Sequence, residues 1–469
     1  MISIDKLPDD ILLAIFYSFV DDPDVASSKG EVEEWQTLIH VCRRWRTVVF
    51  LSPRRLKLRL ACTPQTPVRD LLDIWPTLPL SIWGDNNYPT ESMDNITAVL
   101  EHSDRVCQID LRSVSRSHLE NISAAMQVPF PELIHLVLLS YDKTAPVFPD
   151  SFLGGSAQRL EFFLLRAVPF PGFPKLLLSS THLKDLRLCD IPHSGYIPPE
   201  VMVTALSTLT SLELLQLGFQ SPLSRPDRAS QRPPPPTRTV LPVLHYFSFD
   251  GVSEYLDDIV SRIDVPRIDQ LSISFFKENG FDTPQFVQFI SRTPRFKAFK
   301  RAHLLFEYDH ARVQLLSEIP GYSVINVSVP CRELDWQVSS LEQVVTSCFP
   351  SLSMLEDLKI LERQQRRLRQ DNIEDVLWLG LLQPFSSVKN LYISGQIAPH
   401  IGHALHELVG AGTTEVLPTL QNIFLEELQP SGPVQEGIEK FVSTRQVALH
   451  SIAVSRWRDP MWHEGQPYG

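Results

Sequence analysis

The sequence predicts an α/β protein in which a small N-terminal helical domain precedes a long array of strand–helix units. Three observations predict this fold: a helical apolar stripe in residues 1–55, an apolar spacing that recurs across residues 105–456, and helix-like segments between the recurrences. Hydrophobic residues make up 43% of the 469 residues and charged residues make up 21%. That balance is typical of a folded chain rather than a disordered one.

The N-terminal segment is predicted to form two helices. The first is marked by apolar residues at four-residue steps, with Pro8 suited to its first turn: Leu7, Ile11, Ile15 and Phe19. The second is expected from about residue 31, and its stretch "HVCRRWRTVV" places apolar residues on one helical face: Val41, Cys42, Trp45, Val48 and Val49. We expect Arg43, Arg44 and Arg46 off that face, in water or beside acidic residues of a partner.

From residue 105 onward the spacing L-x-x-L-x-L recurs, with other apolar residues in place of some leucines. Its middle residues, here called anchors, lie about 29 residues apart, within the range of leucine-rich repeats. The anchors are Ile109, Leu136, Phe163, Leu186, Leu215, Phe247, Leu271, Phe299, Ile325, Leu358, Leu391, Ile423 and Ile452. Segments between them, such as 198–209 and 253–263, are helix-like and begin near Pro or Ser. One unit cannot bury its apolar face alone, so stacked units are expected to share one core.

These patterns divide the chain into four segments. Residues 1–55 form the helical domain, 56–104 a helical linker with an N-terminal cap or the first repeat, 105–456 the α/β solenoid, and 457–469 a C-terminal tail. The asparagine that usually follows the strand in regular repeats is mostly missing, so we expect an irregular horseshoe of parallel strands. Phe296 and Phe299 give only a half match, because Arg301 takes the third apolar place.

Two insertions interrupt the predicted array. Residues 221–239 are rich in proline, and residues 362–372 are rich in arginine. Both are expected to form surface loops, because neither carries a periodic apolar pattern.

Charge, cysteines and motifs exclude several classes of function. A net charge of −12 provides no general basic field for nucleic acid. The six cysteines are scattered without C-x-x-C spacing, which favours reduced thiols in the cytoplasm and/or the nucleus over a disulfide framework. No signal peptide, transmembrane segment or phosphate-binding glycine loop is recognisable. We therefore expect that the protein binds no nucleic acid, membrane or cofactor. We also expect that it has no catalytic residues and is not an enzyme.

A histidine triplet is the one metal-like pattern. His400, His403 and His406 are three residues apart on an expected helix, but H-E-x-x-H is absent and no Cys or carboxylate set completes a site. We expect surface histidines of a repeat helix rather than a metal site.

The first fifty residues resemble an F-box. The resemblance rests on "LPDDILLAIF" (7–16) and "WQTLIHVCRRWRTVV" (35–49), which match a Leu-Pro entry, an amphipathic helix and a V-C-x-x-W helix. The loop from Asp21 to Glu34 is longer than is usual in the family. F-box domains often precede leucine-rich repeats, and many fungal chains of the F-box-like family are similar.

The resemblance implies a role in protein interaction. An F-box binds a Skp-type adaptor, which links it to a cullin–RING ubiquitin ligase, while the C-terminal domain recruits the substrate protein. The adaptor-binding residues that it implies are Leu7, Pro8, Ile11, Leu12, Ile15, Leu38, Val41, Cys42, Trp45 and Val49.

The target-binding surface is expected beside the anchors. In a repeat horseshoe the residue that directly follows an anchor faces the concave side, which here gives Arg187, Gln216, Ser248, Lys359, Tyr392 and Phe424. Their chemistry is mixed, so no substrate class follows. An alternative remains open: a leucine-rich-repeat interaction scaffold that acts outside a ubiquitin ligase, which the degenerate repeats and the long loop favour.

Overall fold

The structure of the protein is a computed structural model. It describes residues 7–20, 34–52, 56, 58–65, 68–74, 78–84, 93–142, 145–226, 237–276, 280–281, 283–297, 299–317, 324–349, 352–362, 374–395, 397–411, 416–426, 433–448 and 453–456. The chain divides into two compact units, Met1–Tyr196 and Ile197–Gly469. This division falls inside the segment 105–456 that the sequence predicts as one array. Both units combine helices with mostly parallel strands, so the predicted α/β class is confirmed.

The first unit opens with three helices and continues with alternating strands and helices. The opening helices are α1 (Asp9–Val20), α2 (Glu34–Val41) and α3 (Arg43–Leu51). The elements that follow are β1 (Leu60–Cys62), α4 (Val68–Ile74), β2 (Leu80–Gly84), α5 (Met93–Leu100), β3 (Val106–Val114), α6 (Arg116–Ala125), β4 (His135–Ser140), β5 (Phe162–Arg166), α7 (Phe173–Leu177) and β6 (Asp185–Ile191). These strands pair in chain order, and each is parallel to the next.

The strand–helix alternation begins earlier than the apolar spacing indicates. Segment 56–104, expected to be a helical linker with a cap or the first repeat, contains β1 and β2 as well as α4 and α5. Both strands belong to the same sheet as β3. Their anchors are hard to recognise from sequence because β1 spans only three residues.

A row of buried anchors runs across the first unit. Register pairs bring together Ile82, Ile109, Leu136, Phe163 and Leu186. All five side chains are fully buried. Because side chains alternate between the two faces of a strand, the anchors lie on one face and the residues beside them on the other.

Three strands of the first unit end in the same backbone turn. Ser113, Ala167 and Asp190 each follow their anchor by four residues, and each has a positive φ, of 65°, 55° and 51° respectively. Left-handed backbone disfavours residues with a Cβ, and asparagine and glycine tolerate it best. The three strands therefore share a left-handed residue at the same distance from their anchors.

The second unit continues the alternation with one change of topology. Its elements are α8 (Pro199–Leu206), β7 (Leu214–Phe219), β8 (Thr239–Val240), β9 (Tyr246–Gly251), α9 (Ser253–Arg262), β10 (Ile263–Asp264), β11 (Gln270–Phe275), α10 (Pro284–Arg292), β12 (Phe299–Phe306), β13 (His310–Ser317), β14 (Val324–Pro330), α11 (Leu334–Cys348), β15 (Asp357–Glu362), α12 (Asp375–Leu382), β16 (Asn390–Ile393), α13 (Ala398–Ala411), β17 (Asn422–Leu425), α14 (Pro433–Ala448) and β18 (Ala453–Arg456). Its main sheet has the order β7-β9-β11-β14-β13-β12-β15-β16-β17-β18.

Strands β12, β13 and β14 form a meander that departs from the predicted array. β13 is antiparallel to both of its neighbours, so the expectation of parallel strands alone is wrong here. The anchor spacing does not predict β13, because the buried residues of this strand alternate with period two: Ala311, Val313 and Leu315. The half match at Phe296 and Phe299 lies at the start of this meander, where Phe296 belongs to a short 3-10 helix.

The two predicted insertions are described only at their ends. Thr239 at the end of segment 221–239 belongs to β8, which pairs in parallel with β10. Glu362, the first residue of segment 362–372, ends β15 and is buried. Residues 227–236, 363–373 and 457–469 lie outside the described residues, as does the anchor Ile452.

Two adjacent leucines of β5 allow a test of which face of the sheet is buried. Leu165 is buried, whereas Leu164 is half-exposed on the other face. We expect Leu165→Ala to lower the free energy of unfolding by about 2–5 kcal/mol, because it leaves a cavity. The matched Leu164→Ala should cost less than about 1 kcal/mol, since little apolar area leaves the core. Urea unfolding measures both, and equal midpoints for the two variants would contradict this assignment of the faces.

Candidate protein-interaction surfaces

Helix α1 carries two neighbouring apolar stripes. Leu12 and Phe16 are fully buried against the rest of the first unit. Ile11, Ile15 and Phe19 form a second stripe, here called the exposed stripe, and are 45%, 43% and 46% exposed. Both stripes follow the four-residue spacing of a helix, turned by about 100° from one another. One stripe is used by the fold, and the other is available to a partner.

The expected continuous helix through "HVCRRWRTVV" is wrong, because the chain breaks at Cys42. Helix α2 ends at Val41, Cys42 is extended (φ −158°, ψ 169°), and α3 begins at Arg43. In a continuous helix the Trp45 N–H would bond to the Val41 carbonyl, but here it donates to Cys42 Sγ at 3.5 Å. Cys42 thus caps α3, and Val41 does not share a helical face with Trp45.

The arginines keep contact with water, as expected, since Arg43 and Arg46 are exposed and Arg44 is 39% exposed, but two of them also link the helices. Arg44 forms a salt bridge to Asp9 at 2.6 Å and also donates to the Leu7 carbonyl, which ties α3 to the start of α1. Arg46 donates to the carbonyl of Ile39 near the end of α2 at 3.0 Å. The guanidinium groups therefore fix the relative placement of the three helices.

The ten residues implied by the F-box resemblance occupy three environments. Leu12, Leu38 and Val49 are buried and belong to the unit's own core. Leu7 and Trp45 are half-exposed, and the Trp45 ring packs on Phe16 with a centroid distance of 4.7 Å. The other five are exposed: Pro8, Ile11, Ile15, Val41 and Cys42.

The residues implied by the resemblance do not include Phe19, which is also exposed on α1. Its side chain extends the exposed stripe by one turn. The spacing Leu7, Ile11, Ile15, Phe19 in the sequence already contained this signal.

Five of the six predicted target-binding residues lie in one register row of the second unit. The row runs across neighbouring strands through Gln216, Ser248, Ser272, Asn326, Gln314, His303, Lys359, Tyr392 and Phe424. It alternates with the buried anchors, so it belongs to the other face of the sheet, here called the open face. Ser248 is buried even so, and the other four predicted members are half-exposed. The sixth residue, Arg187, occupies the corresponding position in the first unit, paired with Leu164.

A cation stacks on an aromatic ring in the register row of the second unit and again at Arg187 in the first unit. In the second unit Lys359 Nζ lies 5.5 Å from the centroid of Tyr392, whose ring stacks on Phe424 at 4.5 Å. In the first unit the Arg187 guanidinium lies 5.4 Å from the Phe162 ring, which stacks on His135 at 4.4 Å. Asp185 holds Arg187 by two hydrogen bonds of 2.8 Å. Such stacks fix long side chains in one orientation before a partner binds.

Burial shifts the pKa of one ring in each stack in the direction that favours its neutral form. Burial, with a smaller contribution from the charge of Asp357, raises the pKa of Tyr392 above its ordinary value, so its hydroxyl stays protonated near neutral pH. Burial lowers the pKa of His135, which favours the neutral imidazole, although Asp110 opposes the shift.

An amide ladder beside Tyr392 was not predicted. Asn390 Nδ2 donates to Asp357 Oδ1 at 2.7 Å, and Asn422 Nδ2 donates to Asn390 Oδ1 at 2.7 Å. Each asparagine directly precedes an anchor, Leu391 or Ile423, and that position was the available signal.

The three histidines of α13 contact different neighbours. His403 Nδ1 lies 2.8 Å from an Asp375 carboxylate oxygen, His406 Nε2 lies 2.8 Å from Lys440 Nζ, and the His400 ring stacks on Trp378. Among the residues that the structure describes, no group of three or more metal-ligating side chains is present. Within the same part of the chain, no helix is both long and apolar enough to cross a membrane.

A cavity of about 270 Å³ lies between α10 and the end of α11. It is lined mainly by apolar side chains, and Ser291, Lys297 and Cys348 are its nucleophilic groups. Burial raises the pKa of Cys348 to about 12. The thiolate needed for nucleophilic attack is therefore scarce near neutral pH.

Comparison with protein-family models gives no match, and a search of curated proteins gives none either. The interpretation of these surfaces therefore depends on their own geometry.

The cap at Cys42 can be tested by two substitutions. Cys42→Ala removes the Sγ acceptor, and we expect it to destabilise the three-helix segment by about 0.5–1 kcal/mol. Cys42→Ser keeps an acceptor at the same position and should match or exceed the wild-type stability, since a hydroxyl is the stronger acceptor. Thermal unfolding followed by far-UV circular dichroism compares them. Identical melting temperatures for the alanine and serine variants would show that the Sγ contact does not stabilise α3.

Proposed function

We propose that the chain is the substrate-recognition subunit of a Skp–cullin–F-box type ubiquitin ligase. Its N-terminal helices act as the F-box that binds a Skp-type adaptor, and its strand–helix units act as leucine-rich repeats that bind the target protein. The observation that carries the proposal is the exposed stripe of α1, which continues an F-box-like sequence and remains outside the core. In this role the chain positions a target and performs no chemistry of its own.

The exposed stripe has the character of a binding surface. Three large apolar side chains lie in a line on one helix, each close to half exposed. Full burial of such a side chain contributes about 1.5–3 kcal/mol, so covering the remaining half contributes on the order of 1 kcal/mol each. Val41 and Leu51, 59% and 79% exposed, add apolar area at the ends of α2 and α3. Covering the three stripe residues thus contributes on the order of 3 kcal/mol, which is part of the free energy that a specific complex requires.

The open face provides the second surface that a substrate receptor requires. Its row of Gln216, Lys359, Tyr392 and Phe424 is polar at one end and carries a cation and aromatic rings at the other. The anchors beside these residues are buried, which leaves the open face free to vary without loss of the core. This arrangement supports target binding by the repeats.

A scaffold that acts outside a ubiquitin ligase is the second candidate. It is favoured by the burial of Leu12, Leu38 and Val49, three of the ten residues implied for the adaptor. Trp35 also donates from Nε1 to the Arg59 carbonyl at 3.1 Å, which fixes α2 on the first unit. These contacts suit a helical cap that needs no partner. Full cellular function after removal of residues 1–50 would favour the scaffold.

A pair of charge substitutions on α1 tests adaptor binding. Ile15→Asp places a carboxylate inside the exposed stripe, and burying it unpaired at an interface is costly, so we expect co-purification of a Skp-type adaptor to fall by about tenfold or more. Tyr17→Asp introduces the same charge on another side of the helix and should retain the adaptor. Quantitative co-purification from cells measures both. Equal adaptor recovery with both variants, or none with the wild type, would contradict the proposal.

A further inference from the structure

The meander creates a corner in the second unit, where a strand turn meets the start of α11. The turn between β12 and β13 contains Tyr308 and Asp309, and the loop after β14 leads through Arg332 into α11. Insertions in repeat arrays commonly lie on a binding face. Here the inserted strand brings the turn beside the start of α11.

Buried hydrogen bonds fix the frame of this corner. Gln337 is fully buried, and its Nε2 donates to the carbonyls of Glu307 at 2.8 Å and Cys331 at 2.6 Å. The Cys331 N–H donates to the Asp309 carbonyl at 2.9 Å. One side chain of α11 therefore holds both the turn and the loop. A rigid frame lowers the entropy that a partner must overcome on binding.

Large side chains project from this rigid frame. Tyr308 is 54% exposed and Trp336 is 50% exposed, and the Arg332 guanidinium lies 5.7 Å from the Tyr308 ring centroid. Tyrosine, tryptophan and arginine are the residue types most enriched at the energetic centres of protein interfaces. We name these three residues the aromatic corner.

Carboxylates dominate the charge around the aromatic corner. Glu333, Asp335 and Asp309 are exposed, and Glu307 lies beside them in the turn. His310 donates to Asp309 from Nδ1 at 2.7 Å, and this hydrogen bond lowers the pKa of Asp309 and keeps it ionised. The nearby cations are Arg332, which packs on Tyr308, and Arg312, whose guanidinium contacts His310 at 2.9 Å. Charge complementarity therefore favours a basic partner.

We propose that the aromatic corner docks a short segment of the target protein in which an apolar or aromatic residue is flanked by lysine or arginine. The apolar residue packs on Tyr308 and Trp336, and the basic residues pair with Asp309, Glu333 and Asp335. The identity of the partner as a target rests on the proposed function.

Phage-displayed random dodecapeptides, selected on the full chain and counter-selected on its Tyr308→Ala/Trp336→Ala variant, test the corner. We expect the surviving peptides to combine lysine or arginine with an aromatic or aliphatic residue. Fluorescence anisotropy of a selected peptide should show binding weakened by about tenfold or more for each single alanine variant. Tyr141→Ala, which changes a 70% exposed tyrosine of the first unit, is the matched control and should bind like the wild type.

The contribution of the carboxylates is tested by the double variant Glu333→Gln/Asp335→Asn. This variant should bind the same peptide about threefold to tenfold more weakly, and its binding should depend less on salt concentration. Selection of no peptide that requires Tyr308 and Trp336, or of acidic peptides, overturns the proposal. Co-purification of the adaptor with the Tyr308→Ala/Trp336→Ala variant is measured in parallel and should be unchanged. A failure at the corner is thereby separated from a failure of adaptor binding.

Discussion

The structure depends on the burial of anchor side chains in register between neighbouring strands. A single strand and helix expose too much apolar surface to be stable alone, so each unit requires its neighbours. In the first unit Ile109, Leu136 and Phe163 are direct register partners and are fully buried. A shift of one residue in any strand would turn its anchor to the open face. Register is therefore held by the same side chains that supply the core.

This constraint also determines where functional residues can lie. Because anchors occupy one face of each strand, the residues between them do not contribute to the core and can differ in chemistry. Lys359, Tyr392 and Phe424 use this freedom to form a stack that crosses three strands. The meander obeys the same rule, since Val313 of the antiparallel β13 pairs with Val327 and Leu304 in the buried row. Antiparallel insertion thus adds surface without interrupting the core.

Sequence patterns predicted the parts of the fold that repeat. The anchor spacing located most strands from β3 onward, because an apolar residue recurs wherever the same buried position recurs. It could not locate β13, whose pattern of period two belongs to no repeat, nor β1, which is too short for periodicity. Helical periodicity likewise identified α1 but extended the next helix through Cys42. That break depends on a thiol that accepts the Trp45 N–H, a contact that spacing does not encode.

The location of the predicted target-binding residues could be derived from the repeat, whereas their role stays a prediction. Gln216, Lys359, Tyr392 and Phe424 lie on the open face because position beside an anchor fixes the face on which a residue lies. The roles of Arg44 and Arg46 could not be derived, since a guanidinium that bonds to Asp9 or to the Ile39 carbonyl has the same sequence signature as one in water. Gln337 is a further case, because its two carbonyl partners lie on a turn and a loop that meet only in the fold.

Both candidate docking surfaces rest on frames held by buried contacts of their own unit. On α1 the core is formed by Leu12 and Phe16, while Ile11 and Ile15 stay outside it. At the aromatic corner Gln337 and Cys331 make the structural hydrogen bonds, while Tyr308 and Trp336 stay exposed. The residues that stabilise each frame and the residues proposed to face a partner are thus different sets. Substitution of the second set leaves the contacts of the core in place, so loss of a proposed partner would be attributable to the surface itself.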